Sequence, residues 1–264
     1  MKSIKIFSLV AFVAVAAGLT AFVRLKASTP ITAGDKGFAV VELYTSEGCS
    51  SCPPADALVA KIENESGDKP VYILAYHVDY WDRLGWKDQF SSADFSKRQN
   101  EYARFLKLQS VYTPQIIVNG KTELIGSEEG TLRKAISTGL QSNAGAKLDL
   151  AIAGADAKQA SLKYTVEGAD KKTVLQVAVV EKSAVSKVGA GENNGRTLSH
   201  VQIVRKLQQV TLDGNSGTAS ISLPNGFDAK NWEIIGFLQS KANGSISGAA
   251  KAVFVNDNNT AAAK

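Results

Sequence analysis

The 264-residue chain has two cysteines, Cys49 and Cys52, which lie close together in the stretch TSEGCSSCPP. A disulfide between them would close so short a loop that it would restrict the unfolded chain very little. The spacing instead suits thiol–disulfide chemistry, in which one thiolate attacks a disulfide and a second thiol resolves the mixed disulfide. We therefore predict that Cys49 attacks and Cys52 resolves. The disulfide itself would be the redox group, and no organic cofactor is needed.

The residues after the motif indicate a helix that begins at Pro53. Prolines are tolerated in the first turn, where their missing N–H groups have no intrahelical partner. Apolar side chains then recur at helical spacing, at Ala55, Leu58, Val59 and Ile62. The free N–H groups and the helix dipole at this end stabilise an anion, so we expect the Cys49 thiol to be unusually acidic. Redox activity also requires that a partner can reach its sulfur.

A parallel strand pair and a hairpin are predicted to position the motif. The predicted strands of the first half are residues 38–44, 71–78, 115–118 and 121–125, and the predicted helices are residues 53–65, 93–108 and 128–140. The first two strands are apolar and joined by a helix, which is the connection that parallel strands need. Asn119-Gly120 is a tight-turn signal between the last two strands. Residues 79–89, which are aromatic and charged, are predicted to form a loop.

Short β-rich runs dominate the second half, after a polar linker at residues 141–146. The predicted strands are residues 148–153, 160–166, 174–181, 200–207, 208–212, 218–223, 232–239 and 249–255. Many short strands separated by Gly, Asn and Asp turns are typical of a β-sandwich. The predicted organisation is an α/β domain with an inserted helix at 36–142, an all-β sandwich-like domain at 146–257 and a disordered tail at 258–264.

The first 28 residues resemble an export signal. They hold four Lys and Arg residues, no acidic residue and a long apolar run, which is typical of a signal peptide or an uncleaved membrane anchor. Residues 4–23 would attach an uncleaved chain to the inner membrane. In either case we predict an exported protein, periplasmic or secreted. The leader supplies most of the net charge of +5, and the remaining +1 does not favour nucleic acid as a partner.

A Thr-Pro step before the predicted hairpin extends the pattern. The order of strand, CxxC, helix, strand, helix, Thr113-Pro114 and hairpin resembles the thioredoxin-like fold. The resemblance implies that Pro114 is a cis-proline beside the two sulfurs and that the Thr113 backbone is free to pair with a substrate strand. Ser50-Ser51 differs from the Gly-Pro of thioredoxin and from the Pro-His of strong periplasmic oxidants, which leaves the redox direction open.

Longer segments resemble one particular family. They are VELYTSEGCSSCPPAD, YHVDYWDRLGWKDQFSS, RQNEYA, YTPQIIVNG and, in the second half, GENNGRTLSH. These segments are similar to the domain-of-unknown-function 1223 family of exported bacterial proteins, which has a thioredoxin-like core. The resemblance covers nearly the whole mature chain. It implies the fold and export, but it does not indicate a substrate.

Three polar residues near the motif are candidate modulators: His77, Asp79 and Glu47. His77 and Asp79 lie at the carboxyl end of the second predicted strand, where the sites of α/β proteins gather. His77 could tune the thiolate or relay a proton, but we favour a histidine satisfied at the sheet edge over direct catalysis. Asp79 could accept a proton or cap a turn. Glu47 would oppose formation of the Cys49 thiolate if it faced the sulfur.

Aromatic residues of the 79–89 stretch could line a docking groove for a partner beside the cysteines, or could pack the inserted helix onto the sheet. These residues are Tyr80, Trp81 and Trp86.

Residues 189–196 (GAGENNGR) are glycine-rich but lack the spacing of a phosphate-binding loop, so a long hairpin loop is the better interpretation. Arg196 and His200 are candidates for contact with the first domain.

Together these features predict an exported thiol–disulfide oxidoreductase that acts through its CxxC on an exported or envelope protein. Two other classes remain open. A copper(I)-binding metallochaperone would use Cys49, Cys52 and His77 as three soft ligands. A non-catalytic binding module would keep the fold without turning over a substrate.

Overall fold

The computed structural model describes residues 37–254. They form a mixed α/β structure with one eight-stranded sheet and one three-stranded sheet. The predicted leader at residues 1–28 and the predicted tail at 258–264 lie outside the described residues, so both stay predictions. Within residues 37–254, no helix is long and apolar enough to cross a membrane.

The apolar run before the CxxC forms β1 (Ala39–Thr45), which is followed by α1 (Pro53–Ser66) and β2 (Val71–His77). β1 and β2 pair in parallel along their full length. Every residue of both strands is buried, as expected of parallel strands that are covered on both faces. This unit is the predicted strand–helix–strand arrangement, and it places the CxxC at the carboxyl end of β1.

The rest of the first half follows the predicted order. Its elements are α2 (Ala93–Leu106), β3 (Gln115–Val118), β4 (Thr122–Ile125) and α3 (Glu129–Gln141). β3 pairs antiparallel with both β1 and β4. Asn119 and Gly120 form the hairpin turn with φ angles of 51° and 65°. Asn and Gly adopt such positive angles most readily, which is why this dipeptide predicts the turn.

Residues 79–89 are not entirely a loop, and the prediction is wrong for the first six of them. A 3₁₀ helix spans Asp79–Leu84 and ends at Gly85, whose φ is 99°. A helix this short has too few turns to repeat an apolar pattern, so the sequence offers no periodic signal for it.

Seven strands make up the second half. They are β5 (Lys147–Ala155), β6 (Gln159–Glu167), β7 (Thr173–Lys187), β8 (Thr197–Val210), β9 (Ser216–Ser222), β10 (Trp232–Ser240) and β11 (Ile246–Val253). β5, β6 and β9 form the three-stranded sheet. This sheet packs over β7, β10 and β11 around a core that includes Leu150, Leu162, Val177 and Ile234. The packing of two sheets face to face is sandwich-like.

The predicted strands at 200–207 and 208–212 are one continuous strand, β8. β7 and β8 form a long antiparallel hairpin in which Val179 pairs with Lys206 and Val180 pairs with Val204, leaving Arg205 as an extra residue. Such a bulge reverses the alternation of inward and outward side chains. The bulge interrupts the period-two pattern two residues before the predicted boundary between 207 and 208, but the strand continues through both.

One sheet runs through both halves of the chain. β8 pairs in parallel with β2 through Ala75 and Ile203, which gives the strand order β11-β10-β7-β8-β2-β1-β3-β4. The predicted boundary at residues 142–146 separates the two groups of strands along the chain, but the groups share this sheet in space. The contact also carries the β7–β8 loop (residues 188–196) to the carboxyl end of β1.

A buried ion pair also joins the halves. Arg98 of α2 donates to Glu42 of β1, with Nε 2.7 Å from Oε1, and to Gln239 of β10, with Nη1 3.0 Å from Oε1. Tyr102 donates to the other Glu42 oxygen and accepts a hydrogen bond from Gln239. Because both charges are removed from water, the pair is stable only while its partners are held in place.

Replacing Arg98 with Met should destabilise the protein strongly. The substitution leaves Glu42 buried without its cation, and breaking a buried ion pair in this way costs about 3–5 kcal/mol. Arg104→Met is the matched control, because Arg104 is on the same helix with a side chain that is 69% exposed. We expect the control to change the free energy of unfolding by less than about 0.5 kcal/mol. Urea unfolding measures both, and equal effects would contradict the prediction.

Candidate functional site

The CxxC motif leads directly into α1. Cys49 and Cys52 are joined by a disulfide, with their Cα atoms 5.4 Å apart. Cys52 caps the helix, and its carbonyl oxygen accepts the N–H groups of Ala55 at 2.9 Å and Asp56 at 3.1 Å. The motif therefore lies at the helix start that the sequence predicts, and the disulfide fits a CxxC redox motif.

Neither cysteine has any exposed surface, although Ser50 and Ser51 between them are exposed. The Cys49 sulfur lies 3.3 Å from the Ser51 hydroxyl oxygen and 3.8 Å from the Thr113 carbonyl oxygen. The expectation that a partner can reach this sulfur is not met in the structure. The contact that covers the sulfur comes from the tertiary structure, because Thr113 is 64 residues away in sequence. The motif itself therefore gives no sign that Cys49 is covered.

Thr113 and Pro114 lie beside the disulfide, as the thioredoxin resemblance implies. Their peptide bond is cis. The Thr113 carbonyl accepts a hydrogen bond from the Ser51 hydroxyl at 3.5 Å, and its side-chain oxygen accepts one from the Trp81 indole at 2.8 Å. Pairing of the Thr113 backbone with a substrate strand stays a prediction. It would require the Thr113 carbonyl to exchange its hydrogen bond with Ser51 for one with the substrate.

Five ionisable side chains form a buried cluster next to the motif: His77, Asp88, His200, Glu47 and Asp56. His77 Nδ1 lies 2.6 Å from Asp88 Oδ2, and the centres of the His77 and His200 rings are 4.8 Å apart. His200 Nε2 lies 3.6 Å from Glu47 Oε1, and its Nδ1 lies 3.9 Å from Asp56 Oδ2. Glu47 and Asp56 flank the CxxC in sequence, so the buried cluster adjoins both sides of the motif.

Burial and charge pairing oppose each other in the buried cluster. Burial lowers the pKa of His77, but the Asp88 carboxylate, with Asp56 and Glu47, outweighs burial and raises this pKa above its ordinary value. Burial raises the pKa of Asp88, but His77 and the N–H groups of Glu47 and Phe90 lower it overall. Burial raises the pKa of Asp56. These directions favour the charged forms of His77 and Asp88.

Several polar atoms of the buried cluster have no hydrogen-bond partner among the described residues. They are Nε2 of His77, both ring nitrogens of His200 and Oε1 of Glu47. Unpaired buried polar atoms are uncommon in folded proteins, and each calls for an explanation such as a catalytic role. These four atoms, in a cluster that adjoins the CxxC, are therefore candidates for such a role.

Of the three candidate modulators, the structure brings His77 and Glu47 into the buried cluster and leaves Asp79 outside it. Asp79 exchanges two hydrogen bonds with Ser96 of α2, one through its N–H and one through its carboxylate. Glu47 is held by Trp86, whose indole N–H donates to Oε2 at 2.6 Å. The Glu47 carboxylate is thus engaged with the wall of the site and with the buried cluster.

The three candidate docking aromatics are half-buried, and each donates a hydrogen bond. Tyr80 donates to Gln99 at 3.2 Å, Trp81 donates to Thr113, and Trp86 donates to the buried cluster. Trp81 and Trp86 thus contact residues beside the CxxC, whereas the hydrogen bond of Tyr80 goes to α2. A role in docking a partner stays a prediction.

The β7–β8 loop supplies contacts that the sequence did not indicate. Asn193, which is fully buried, donates from Nδ2 to the carbonyl oxygens of Glu47 and Cys49. Glu192 accepts a hydrogen bond from the Ser50 N–H at 2.9 Å. The only local signal is a polar run between glycines, which is equally typical of an exposed turn.

Of the two second-half residues expected to contact the first half, His200 does so directly through the buried cluster. Arg196 instead contacts Asn193, donating to its Oδ1 at 2.7 Å.

Asp88 has no distinguishing signal in the sequence, because it is one acid among several charges in an aromatic stretch. Its role depends on the position of His77, which β2 carries.

Residues 37–254 contain no group of three or more His, Cys, Asp and Glu side chains arranged to hold a metal ion. The two cysteines are joined to each other, and Nδ1 of His77 is engaged with Asp88. The copper(I) alternative stays a hypothesis about the reduced protein.

Comparison with known proteins places the chain in a family. The family model described as "Protein of unknown function (DUF1223)" matches residues 40–239, most of the chain. The chain belongs to this family. The resemblance drawn from the sequence segments is therefore confirmed, and the DUF1223 match includes both the CxxC and the β7–β8 loop.

A solved structure resembles this DUF1223 protein over both halves. It is an X-ray crystal structure of a protein from Agrobacterium tumefaciens, 28% identical, with a TM-score of 0.65; the match covers 85% of this chain and 97% of that one. No curated protein matches the chain.

We expect the His77–Asp88 pair to make stability depend on pH. The folded pKa of His77 is raised above 6.5, so its contribution is complete below that pH and is lost as pH rises through the raised pKa. The folded pKa of Asp88 is lowered below 3.8, so its contribution is present above that pH and is lost as pH falls through the lowered pKa.

His77→Gln should therefore destabilise the protein by about 1–3 kcal/mol near pH 6 and by less near pH 9. Asp68→Asn, at an exposed position, is the control and should change stability by less than about 0.5 kcal/mol at either pH. Urea unfolding at the two pH values measures these differences. A loss in His77→Gln that is as large at the higher pH would argue against a charged pair.

Proposed function

We propose that this protein is an exported thiol–disulfide oxidoreductase that acts on a protein partner through Cys49 and Cys52. The observation that carries the proposal is the disulfide at the start of α1, with the Thr113 carbonyl oxygen 3.8 Å from the Cys49 sulfur. A CxxC at this place combines a helix end that stabilises a thiolate with a resolving thiol one turn along. The short loop between the cysteines contributes little to the stability of the fold.

The arrangement of the first half supports a thioredoxin-like core. β1 and β2 are parallel, and the β3–β4 hairpin is antiparallel to β1. Apolar side chains of α1 and α3 pack in one core, and those of α2 pack in another that contains alternate residues of the same strands. Helices therefore cover both faces of the strands that end at the CxxC.

In the oxidised protein, a substrate thiolate would attack the Cys49 sulfur, which breaks the bond to Cys52 and releases the Cys52 thiolate. A second substrate thiolate then attacks the substrate sulfur of the mixed disulfide and releases the Cys49 thiolate. The substrate loses two electrons and becomes a disulfide, while the protein gains them as a dithiol. The reverse steps reduce a substrate disulfide, and the relative potentials of the two pairs set the direction.

The buried cluster is suited to handling the protons of these steps. Asp56 follows Cys52 by four residues in α1, which places the two side chains one turn apart on the same face. Burial raises the pKa of the Asp56 carboxyl, and a raised pKa brings a carboxyl closer to the range in which it exchanges protons at neutral pH. His200 lies between this carboxyl and Glu47, with ring nitrogens 3.9 Å from Asp56 Oδ2 and 3.6 Å from Glu47 Oε1.

The burial of both cysteines favours a second candidate, a non-catalytic binding module with an inert disulfide. A sulfur with no exposed surface reacts only when the contacts of Ser51 and Thr113 separate. Local opening of this kind occurs in folded proteins at a free energy well below that of global unfolding. The two candidates therefore differ in whether the native protein exchanges its disulfide at a useful rate.

A redox titration distinguishes the oxidoreductase from the binding module. Equilibration with glutathione buffers should give a two-electron couple, with about a tenfold change in the thiol-to-disulfide ratio for every 30 mV. The protein should also catalyse reduction of insulin by dithiothreitol, and Cys49→Ser should lower that rate to the uncatalysed background. Activity that survives Cys49→Ser would contradict the role of Cys49, and a disulfide that the native protein never exchanges would favour the binding module.

Trapping identifies the partner and tests export at the same time. Cys52→Ser leaves Cys49 to hold its substrate as a mixed disulfide, because the resolving thiol is absent. Expressed with its leader, this variant should capture proteins of the cell envelope. The double variant that also carries Cys49→Ser is the control and should capture none of them. Capture of cytoplasmic proteins alone would contradict an exported function.

A further inference from the structure

The β7–β8 loop is attached to the backbone on both sides of Gly48 by buried hydrogen bonds. Asn193 Nδ2 donates to the carbonyl oxygens of Glu47 at 2.8 Å and Cys49 at 2.9 Å, across 146 and 144 residues of sequence. The asparagine has no exposed surface. Two buried bonds from one amide hold this backbone more firmly than bonds that compete with water.

The orientation of the Asn193 amide follows from its neighbours. Backbone carbonyls only accept hydrogen bonds and a guanidinium only donates them. Nδ2 must therefore face Glu47 and Cys49, and Oδ1 must face Arg196, which donates to it at 2.7 Å. A reversed amide would place acceptor against acceptor and donor against donor.

The loop that carries Asn193 is itself closed. The Val188 N–H donates a hydrogen bond to the Arg196 carbonyl oxygen at 2.9 Å, and the Gly195 N–H donates one to the Val188 carbonyl oxygen at the same distance. Gly189 packs against Trp86 so closely that a Cβ at this position would lie 2.8 Å from the indole ring. The glycine thus allows the loop to lie against the wall of the site.

A carboxylate of the same loop reaches the motif. Glu192 accepts the Ser50 N–H at 2.9 Å, and this hydrogen bond lowers the pKa of Glu192. Its charge therefore lies next to the residue that follows Cys49, where it opposes a second negative charge on the sulfur. Arg196 and the buried cluster are the other charged groups of this region.

We propose that the β7–β8 loop is a positioning element for the CxxC, in which Asn193 holds Cys49 in its covered position and Glu192 disfavours the Cys49 thiolate. The second half of the chain would thereby control both access to the disulfide and the ease of its reduction. The biological meaning rests on the proposed redox function, but the two physical effects need no partner protein.

Glu192→Gln tests the electrostatic part, because it keeps the size of the side chain and an acceptor oxygen but removes the charge. In the reduced protein, the acid dissociation constant of Cys49 should rise about fivefold, the upper range for an exposed charge interaction. The equilibrium with glutathione, at a pH where Cys49 is ionised, should shift toward the dithiol by the same factor. Glu167→Gln, exposed on β6, is the control. No change in either quantity would overturn the role of Glu192.

Asn193→Ala, compared with the same substitution at the adjacent Asn194, tests whether Asn193 holds Cys49 in its covered position. The rate at which dithiothreitol reduces the disulfide of the native protein should rise about tenfold, because the loss of two buried hydrogen bonds favours the open form. Asn194→Ala is the matched control, since Asn194 is adjacent and exposed, and its rate should equal that of the wild type. A wild-type rate in folded Asn193→Ala would overturn the role of Asn193.

Arg196→Gln keeps the test decisive if Asn193→Ala does not fold. Arg196 is exposed and its side chain donates to the Asn193 amide, so its variant should fold and show a smaller acceleration in the same direction. An unchanged reduction rate in Arg196→Gln, when Asn193→Ala is unfolded, would overturn the proposal.

Failure of the redox function would look different from failure of the positioning role. A wild type that turns over no insulin, while Glu192→Gln still shifts the glutathione equilibrium, would remove the function and support the positioning role. Normal turnover with unchanged acidity and unchanged reduction rates in the variants would remove the positioning role and leave the function.

Discussion

The short parallel contact between β2 and β8 is the constraint on which the site depends. It joins the strands of the two halves into one sheet through Ala75 and Ile203, and it brings His200 against His77. The β7–β8 hairpin then extends past β2, so its loop reaches the CxxC. Neither half contains the complete site, since the motif lies in one half and Asn193, Glu192 and His200 lie in the other.

Charges buried at this junction are balanced in pairs. Arg98 with Glu42 and His77 with Asp88 each remove two ionised groups from water. Such pairs tolerate little displacement, because a charge left without its partner is far more costly than a lost surface contact. Each pair joins elements that are distant in sequence or separated by a helix. The polar contacts therefore favour one mutual arrangement of the strands over shifted ones.

The cover over the disulfide determines what kind of thiol chemistry is to be expected. A helix start favours the Cys49 thiolate, whereas the Glu192 carboxylate opposes it, and the two effects act on the same sulfur. The redox direction follows from the difference between them and from the free energy of local opening. This is why Ser50-Ser51 alone does not determine whether the pair oxidises or reduces.

The sequence by itself determined the local elements around the motif: the helix that begins at Pro53, the turn at Asn119-Gly120 and the family membership. The helix and the turn depend on neighbours within a few residues, whose spacing and backbone preferences are visible in one chain. The family membership depends on segments spread along residues 40–239. Only the tertiary structure decided that β8 extends the first sheet, that Cys49 is covered, and that Asn193 holds it. Asn193 lies 144 residues from Cys49, and in sequence it is an ordinary loop asparagine. Contacts at such separation arise from strand pairing and packing, for which a single sequence contains no local signal.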